Sequence, residues 1–147
     1  MSVEVDGWEA MGTKKRVLVL LQPYDLYLVK RARRAGSEGE QAPSPFVEAA
    51  LRTFLEMGTN GGEGKALDAM SKAADRRKHG EQLSRRSIRL HTDVNAELDA
   101  FAQHANESAS VVVEAALDNV LNGEIDDMRA DLAEAQRIEL GDPVSAD

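Results

Sequence analysis

Residues 85–93 read RRSIRLHTD, and polar and apolar side chains alternate along this stretch from Ser87 to His91. A two-residue period is typical of a β-strand with one buried face. The next thirty residues read as two helices, so the adjoining sequence offers no strand to pair with it. A lone strand leaves backbone N–H and C=O groups unpaired, which is costly wherever they are buried. The partner strand must therefore come from elsewhere in the chain.

An internal repeat supplies that partner. The pentapeptide VEAAL occurs at residues 47–51 and again at 113–117, and each copy opens a helix. Before the first copy lie the helical run PYDLYLVKRARR and, further upstream, KKRVLVLLQ, which is rich in the branched and apolar residues of strands. Both halves of the chain therefore read strand, helix, helix, and we expect the two strands to pair.

The repeat predicts five segments. They are a flexible N-terminal segment (1–13), a first strand-helix-helix unit (14–58), a linker with a short helix (59–83), a second unit (84–123) and an acidic, partly helical C-terminal tail (124–147). A two-stranded ribbon is marginally stable by itself, so we expect the four helices of the two units to pack beneath one of its faces. The expected fold is mainly α with a two-stranded ribbon.

Composition limits the class of protein. The chain has 147 residues, of which 42% are hydrophobic, enough for one domain or two very small ones. It has no cysteine, which excludes disulfides and thiolate metal sites and fits a reducing compartment. Its longest uninterrupted apolar run, Val17 to Leu21, is far too short to span a membrane, and the N-terminus lacks a signal-peptide pattern. We therefore expect a soluble cytoplasmic protein.

The net charge of −8 argues at first against a nucleic-acid partner, but it is unevenly distributed. Residues 14–58 hold eight Lys/Arg against five Asp/Glu, whereas residues 124–147 hold two against eight. Phosphates respond to charges within roughly 8 to 10 Å at physiological ionic strength. Local clusters therefore matter more than the overall balance, and DNA stays a possible partner.

The second unit resembles the ribbon-helix-helix DNA-binding family of Arc, MetJ and CopG type, in SIRLHTDVNAELDAFAQHANESASVVVEAALDNVLNG, and the match covers residues 85–123. In that family two chains pair their strands into an antiparallel ribbon, and its outward side chains read base edges in the major groove. The resemblance implies a mainly α protein with a two-stranded antiparallel ribbon, in which tandem ribbon-helix-helix units form an intramolecular pseudo-dimer. Such a chain would be a monomer that can assemble further on DNA.

The resemblance also implies which side chains read bases. In the second unit they are Arg85, Ser87 and Arg89. In the first unit two registers stay open, and the outward set is either Lys15, Val17 and Val19 or Arg16, Leu18 and Leu20. Arginine presents a fork to guanine O6 and N7, serine serves either kind of base edge, and apolar side chains contact thymine methyl groups. The competing interpretation is an ordinary amphipathic strand with a solvated arginine face.

Phosphate contacts are implied at the N-terminus of each second helix, where backbone N–H groups are available. In the second unit these belong to Ser108, Ala109 and Ser110. The matching stretch around Ser44 is flanked by Pro43 and Pro45, which lack the N–H donor, so we expect a weaker clamp there.

Two basic clusters could add phosphate contacts or could simply be solvated helix faces. One lies on the first helix and contains Lys30, Arg31, Arg33 and Arg34. The other is the run Arg76, Arg77, Lys78, His79 in the linker.

No pattern indicates an enzyme. The three histidines are scattered through the chain, and GGEGK lacks the glycine spacing and the Ser/Thr of a phosphate-binding loop, so we expect no metal and no cofactor. The leading hypothesis is a sequence-specific double-stranded DNA-binding protein with an asymmetric site, acting in transcription regulation or as an accessory factor of conjugative or T-DNA transfer. Two alternatives stay open: an antitoxin whose acidic tail binds a toxin protein, and a protein-interaction module whose ribbon is covered.

Overall fold

A computed structural model describes residues 12–36, 42–78, 82–121 and Glu134. In this part of the chain the protein is mainly helical, with five helices and a two-stranded antiparallel sheet. The elements are β1 (Thr13–Leu21), α1 (Gln22–Arg34), α2 (Ser44–Thr59), α3 (Glu63–Arg77), β2 (Leu83–His91), α4 (Thr92–Ala105) and α5 (Ala109–Leu121). The predicted N-terminal segment, up to residue 11, and all but one residue of the acidic tail lie outside the described residues.

The partner of the RRSIRLHTD strand is β1. Residue pairing runs from Thr13 opposite His91 to Leu21 opposite Leu83, so all nine residues of each strand are paired. The pair at the centre of the ribbon is Val17 and Ser87. Each strand passes directly into a helix, β1 into α1 and β2 into α4.

One face of the ribbon forms the roof of the hydrophobic core. Directly opposite residues in an antiparallel pair share a face, and Leu18, Leu20, Ile88 and Leu90 on this inner face are all fully buried. The helices beneath contribute Leu51, Phe54, Leu98 and Leu117, among others. Each fully buried large side chain contributes roughly 1.5 to 3 kcal/mol, which explains how so short a ribbon is held in place.

The linker is more structured than the sequence predicted. Its helix α3 is 15 residues long, and it packs against both α5 and α2. The buried residues Ala66, Met70 and Ala73 form a stripe at helical spacing that faces this core. Small side chains allow α3 to approach closely, so it belongs to the core rather than to a solvated linker. Within the described residues, none of the helices is long and apolar enough to cross a membrane.

Candidate nucleic-acid interface

The outer face of the ribbon, opposite the core, carries positive charge. By alternation it consists of Thr13, Lys15, Val17 and Val19 on β1 and Leu83, Arg85, Ser87, Arg89 and His91 on β2, whereas Leu21, at the end of β1, is fully buried in the core. Three of these nine residues are Lys or Arg, and none is Asp or Glu. Of the two registers open for β1, the structure selects the one that turns Lys15, Val17 and Val19 outward, because Leu18 and Leu20 are buried in the core.

The two ends of the outer face differ in chemistry. The polar end presents Lys15, Arg89 and His91 beside the largely buried Thr13, and the apolar end presents Val19, Leu83 and Arg85. Between them Val17 is 45% exposed, whereas Ser87 beside it is only 8% exposed. A ligand lying along the ribbon would therefore meet hydrogen-bond donors at one end and mostly methyl groups at the other.

Arg89 is held in place by Thr13. Its Nε donates to Thr13 Oγ1 at 2.8 Å, and its Nη2 donates to the Thr13 carbonyl at 3.0 Å. These two bonds orient the guanidinium at the polar end, whereas Arg85 at the other end is exposed. Sequence reasoning missed Thr13, because it placed the residue in the flexible N-terminal segment.

The remaining ribbon arginines point toward the helices. Arg16 Nε donates to Asn95 Oδ1 at 2.8 Å, and its Nη2 lies 2.6 Å from Asp99. Arg86 Nε lies 2.6 Å from Asp25 Oδ1, and both side chains are mostly buried. The ion pair of Arg86 fixes β2 to α1, and that of Arg16 fixes β1 to α4. Only Lys15, Arg85 and Arg89 are left to give the outer face its charge.

At each edge of the ribbon, a serine hydroxyl accepts a hydrogen bond from a strand N–H. The Arg89 N–H donates to Ser44 Oγ, and the Val19 N–H donates to Ser110 Oγ, each at 2.9 Å. Unpaired backbone groups at sheet edges invite pairing with other chains, and these bonds remove that liability. Ser44 is fully buried, so its hydroxyl serves the ribbon, and only the helix N-terminus around it can face a phosphate.

Two buried glutamates repeat this arrangement one turn further along each helix. Glu48 accepts the His91 N–H and Glu114 accepts the Leu21 N–H, both at 2.7 Å. Their exposed fractions are 3% and 0%, respectively. Sequence reasoning missed both residues, although each is the second residue of a VEAAL copy, where a charged side chain interrupts an apolar run.

The buried Glu114 carboxylate is matched by a charge from α3. Arg77 donates to its two oxygens, at 3.0 Å each, and Arg77 Nη2 also donates to the Val19 carbonyl. Burial raises the pKa of Glu114, although the bonds from Arg77 and from the Leu21 N–H lower it. The glutamate, the arginine and the β1 backbone therefore form one buried polar cluster.

Arg76 forms a second link between α3 and the same half of the molecule. It pairs with Asp118 and donates to the Tyr24 hydroxyl at 2.8 Å, while Tyr24 donates to Asp118 at 2.7 Å. Burial, and then the Asp118 charge, raises the pKa of Tyr24. Arg76 and Arg77 are thus structural, which removes them as the candidate phosphate contacts of the linker; His79 lies outside the described residues.

The helix N-termini that were expected to meet phosphates lie beside the ribbon edges. Asn106 ends α4 in the left-handed conformation, with a φ of 58°, and the exposed Ser108 accepts the Val111 N–H at 3.2 Å. The backbone N–H groups of Ala109 and Ser110 belong to the first turn of α5, where helical N–H groups have no intrahelical acceptor.

Basic side chains of α1 lie beside the start of α2. Arg31 lies over the Phe46 ring at 4.1 Å, and Arg31 and Arg34 line a groove with Pro43 and Pro45. Arg33 is exposed on the same helical turn. The two candidate phosphate sites therefore differ: one offers backbone N–H groups, and the other offers guanidinium groups.

Comparisons with known proteins add no relative. No protein-family model, curated protein sequence or solved structure matches this chain. Within the part of the chain that the structure describes, no three His, Asp or Glu side chains are grouped so that they could hold a metal ion. The chemistry available at the outer face is that of hydrogen-bond donors, methyl groups and positive charge.

Proposed function

We propose that this protein is a non-enzymatic, sequence-specific double-stranded DNA-binding protein that inserts its antiparallel ribbon into the major groove. The observation that carries the proposal is the outer face itself, which bears Lys15, Arg85 and Arg89 and no acidic residue although the chain has a net charge of −8. A two-stranded ribbon fits a groove about 12 Å wide, in which base edges can be read directly. In the cell it acts as a transcriptional regulator or as a DNA-transfer accessory factor.

Repeated contacts support a tandem ribbon-helix-helix architecture, an intramolecular pseudo-dimer. Ser110 follows Ser44 by 66 residues, and Glu114 follows Glu48 by the same number of residues. The N–H groups that they accept belong to residues 70 positions apart, Val19 with Arg89 and Leu21 with His91. The central pair, Val17 and Ser87, has the same spacing, as a two-fold axis through the ribbon centre requires.

The unlike ends of the outer face imply an asymmetric DNA site. At the polar end, Lys15 and Arg89 match the O6 and N7 acceptors of guanine. At the apolar end, Val19 fits thymine methyl groups, and Arg85 supplies one further guanine contact. A symmetric dimer of identical chains would read the same sequence twice, whereas this single chain reads two different half-sites.

Phosphate contacts on either side of the groove complete the interface. Ser108 and the first residues of α5, Ala109 and Ser110, offer backbone N–H groups, which suit an anion at a helix N-terminus. On the other side Arg31, Arg33 and Arg34 compensate for the prolines at the start of α2, which lack the N–H donor. These contacts position the ribbon and supply the salt-dependent part of the affinity.

Selection from random duplexes, followed by binding measurements on single variants, tests the proposal. Arg89→Ala should weaken binding to the selected duplex by about ten- to a hundredfold, the value of a bidentate guanine contact, and should weaken binding to a random duplex far less. Lys72→Ala, which removes an exposed cation of α3, serves as the matched control and should change neither affinity. Equal losses of Arg89→Ala on both duplexes, or no salt-dependent duplex binding at all, would contradict the proposal.

A further inference from the structure

A groove of about 340 Å³ lies between the end of α1 and the start of α2. Its apolar lining includes Ala35, Ala42, Pro45, Phe46 and Ala49. Ala35 and Ala49 are exposed, and Phe46 is only partly buried. Arg31 and Arg34 also line it, so the α1–α2 groove combines apolar surface with positive charge.

The same position in the second unit is already covered by a helix. The counterparts of Ala35, Ala42 and Pro45, taken at the spacings of the repeat, are Ala105, Ser108 and Val111, and all three line a surface together with Met70 and Arg77 of α3. The counterparts of Phe46 and Ala49 are Val112 and Ala115, which are fully buried. In the second unit, therefore, α3 packs at a position where, among the described residues, only α1, α2 and the residues next to them line the groove of the first unit.

The chain itself contains a segment that corresponds to α3. The helix α3 follows α2 after residues 60–62, and by the same repeat its counterpart must follow α5. After Leu121 there remain 26 residues, which begin NGEIDDM, similar to NGGEGKALDAM at the start of α3. Their apolar residues Ile125, Met128, Leu132 and Ala135 fall on one helical face.

The tail and α3 differ in charge, and each charge suits the surface that the segment would cover. The tail, residues 124–147, holds eight Asp/Glu against two Lys/Arg. The end of α1 presents Arg31, Arg33 and Arg34, whereas the corresponding residues of α4 are Phe101, Gln103 and His104. An acidic segment therefore fits the first unit, and the nearly neutral α3 fits the second.

We infer that the acidic segment 124–139, whose apolar residues recur at helical spacing, docks in the α1–α2 groove of the same chain, with its carboxylates against Arg31 and Arg34. The inference rests on the pseudo-dimer of the proposed function, because the two-fold relation assigns the position of the docked helix. It also makes the tail a competitor of DNA phosphates for the arginines on that side of the ribbon. The acidic segment then acts as a built-in regulator of DNA binding.

Disulfide trapping in the full-length chain tests this docking directly, since the protein has no cysteine of its own. Ala49→Cys is combined with Met128→Cys or, one turn further, with Leu132→Cys; the matched control combines it with Ala130→Cys, on the opposite helical face. Under mild oxidation at low protein concentration, at least one of the first two pairs should close within the monomer about tenfold faster than the control, because docking raises the local thiol concentration. Equal rates for all three pairs, or bonds formed only between chains, would overturn the inference.

DNA then separates this inference from the proposed function. Adding a saturating duplex should slow closure of the fast pair several-fold, because phosphates compete for Arg31 and Arg34, and an unchanged rate would overturn the regulatory role of the tail. Failure to trap the tail in a protein that binds duplex DNA overturns the docking alone. Fast trapping in a protein that binds no duplex overturns the DNA-binding function and leaves the docking in place.

Discussion

Glu48 and Glu114 accept equivalent strand N–H groups at opposite edges of the ribbon, but their surroundings differ. Glu48 contacts His91 Nδ1 at 2.7 Å and lies 3.6 Å from Arg52, whose side chain is 49% exposed. Glu114 is fully buried, and its counter-charge is Arg77 of α3. One glutamate therefore relies on the half-exposed Arg52 of its own helix, and the other relies on the partly buried Arg77 from outside either strand-helix-helix unit.

The N–H acceptors are therefore alike at the two ribbon edges, whereas the counter-charges of the two glutamates differ. Every strand N–H at a buried edge needs an acceptor, so the serine and glutamate acceptors recur in both units. The counter-charge has no such fixed position, and each half takes it from the nearest available cation. As a consequence, α3 supplies the ion pair of Glu114, whereas α2 itself supplies that of Glu48.

Removing the arginine that pairs with the buried Glu114 should have the largest effect. Arg77→Ala leaves the Glu114 carboxylate buried without a counter-charge, and we expect a loss of about 3 to 5 kcal/mol in the free energy of unfolding. Arg52→Ala, its counterpart beside Glu48, removes a half-exposed partner and should cost less than about 1 kcal/mol. Urea unfolding of both variants measures the difference. Similar losses in the two variants would contradict the expectation that Glu114 depends on its counter-charge more strongly than Glu48 does.

The serine pair predicts a smaller difference. Ser44 is fully buried, so Ser44→Ala removes an acceptor that water cannot easily replace, and the unsatisfied Arg89 N–H costs about 1 to 3 kcal/mol. Ser110 is only partly buried, so water can replace its hydroxyl, and Ser110→Ala should cost less. Chemical unfolding of the two variants side by side decides this, and a greater loss for Ser110→Ala would contradict it.

Much of the fold could be predicted because its signals are local. The alternation of β2 and the repeated VEAAL predict the order strand, helix, helix twice along the chain, and the structure has β1, α1 and α2 and later β2, α4 and α5 in that order. The register of β1 could not be predicted, because KRVLVLL is apolar at most positions of both alternating sets. Only the pairing with β2 decides that Leu18 faces the core and Val17 faces outward.

The site was less predictable because its contacts join residues distant in the sequence. The run ADRRK resembles a solvated basic patch, yet Arg76 and Arg77 pair with Asp118 and Glu114, which lie 42 and 37 residues away. No local pattern identifies these partners. The two VEAAL glutamates could have been found, since a charge repeated within two otherwise apolar helix faces indicates a buried partner.

The proposed phosphate contacts of the first unit predict a change in salt dependence. Replacing Arg33 and Arg34 by Gln removes two cations from the first-unit side, so binding should weaken to a similar extent on all duplexes, by about tenfold at low salt. The slope of log affinity against log salt should fall by about 0.9 for each phosphate that the variant no longer neutralises. Lys65→Gln with Lys72→Gln, on α3, provides the matched control. An unchanged slope in the Arg33 and Arg34 variant would remove these residues from the interface.

The smallest predicted effect concerns the proton of Glu114. Because its pKa is raised in the folded protein, the folded state keeps the proton at pH values where the unfolded chain has lost it, from about 4.3 upward. Unfolding then releases a proton, so the stability of the wild type relative to Glu114→Gln should be greatest below that pH and should fall as the pH rises through the raised pKa. The slope cannot exceed about 1.4 kcal/mol per pH unit for one proton. Unfolding curves of both proteins between about pH 4 and 7 measure it. A constant difference would mean that burial and the Arg77 ion pair cancel in setting the pKa of this carboxyl group, and a difference that grows with pH would mean that the ion pair outweighs burial.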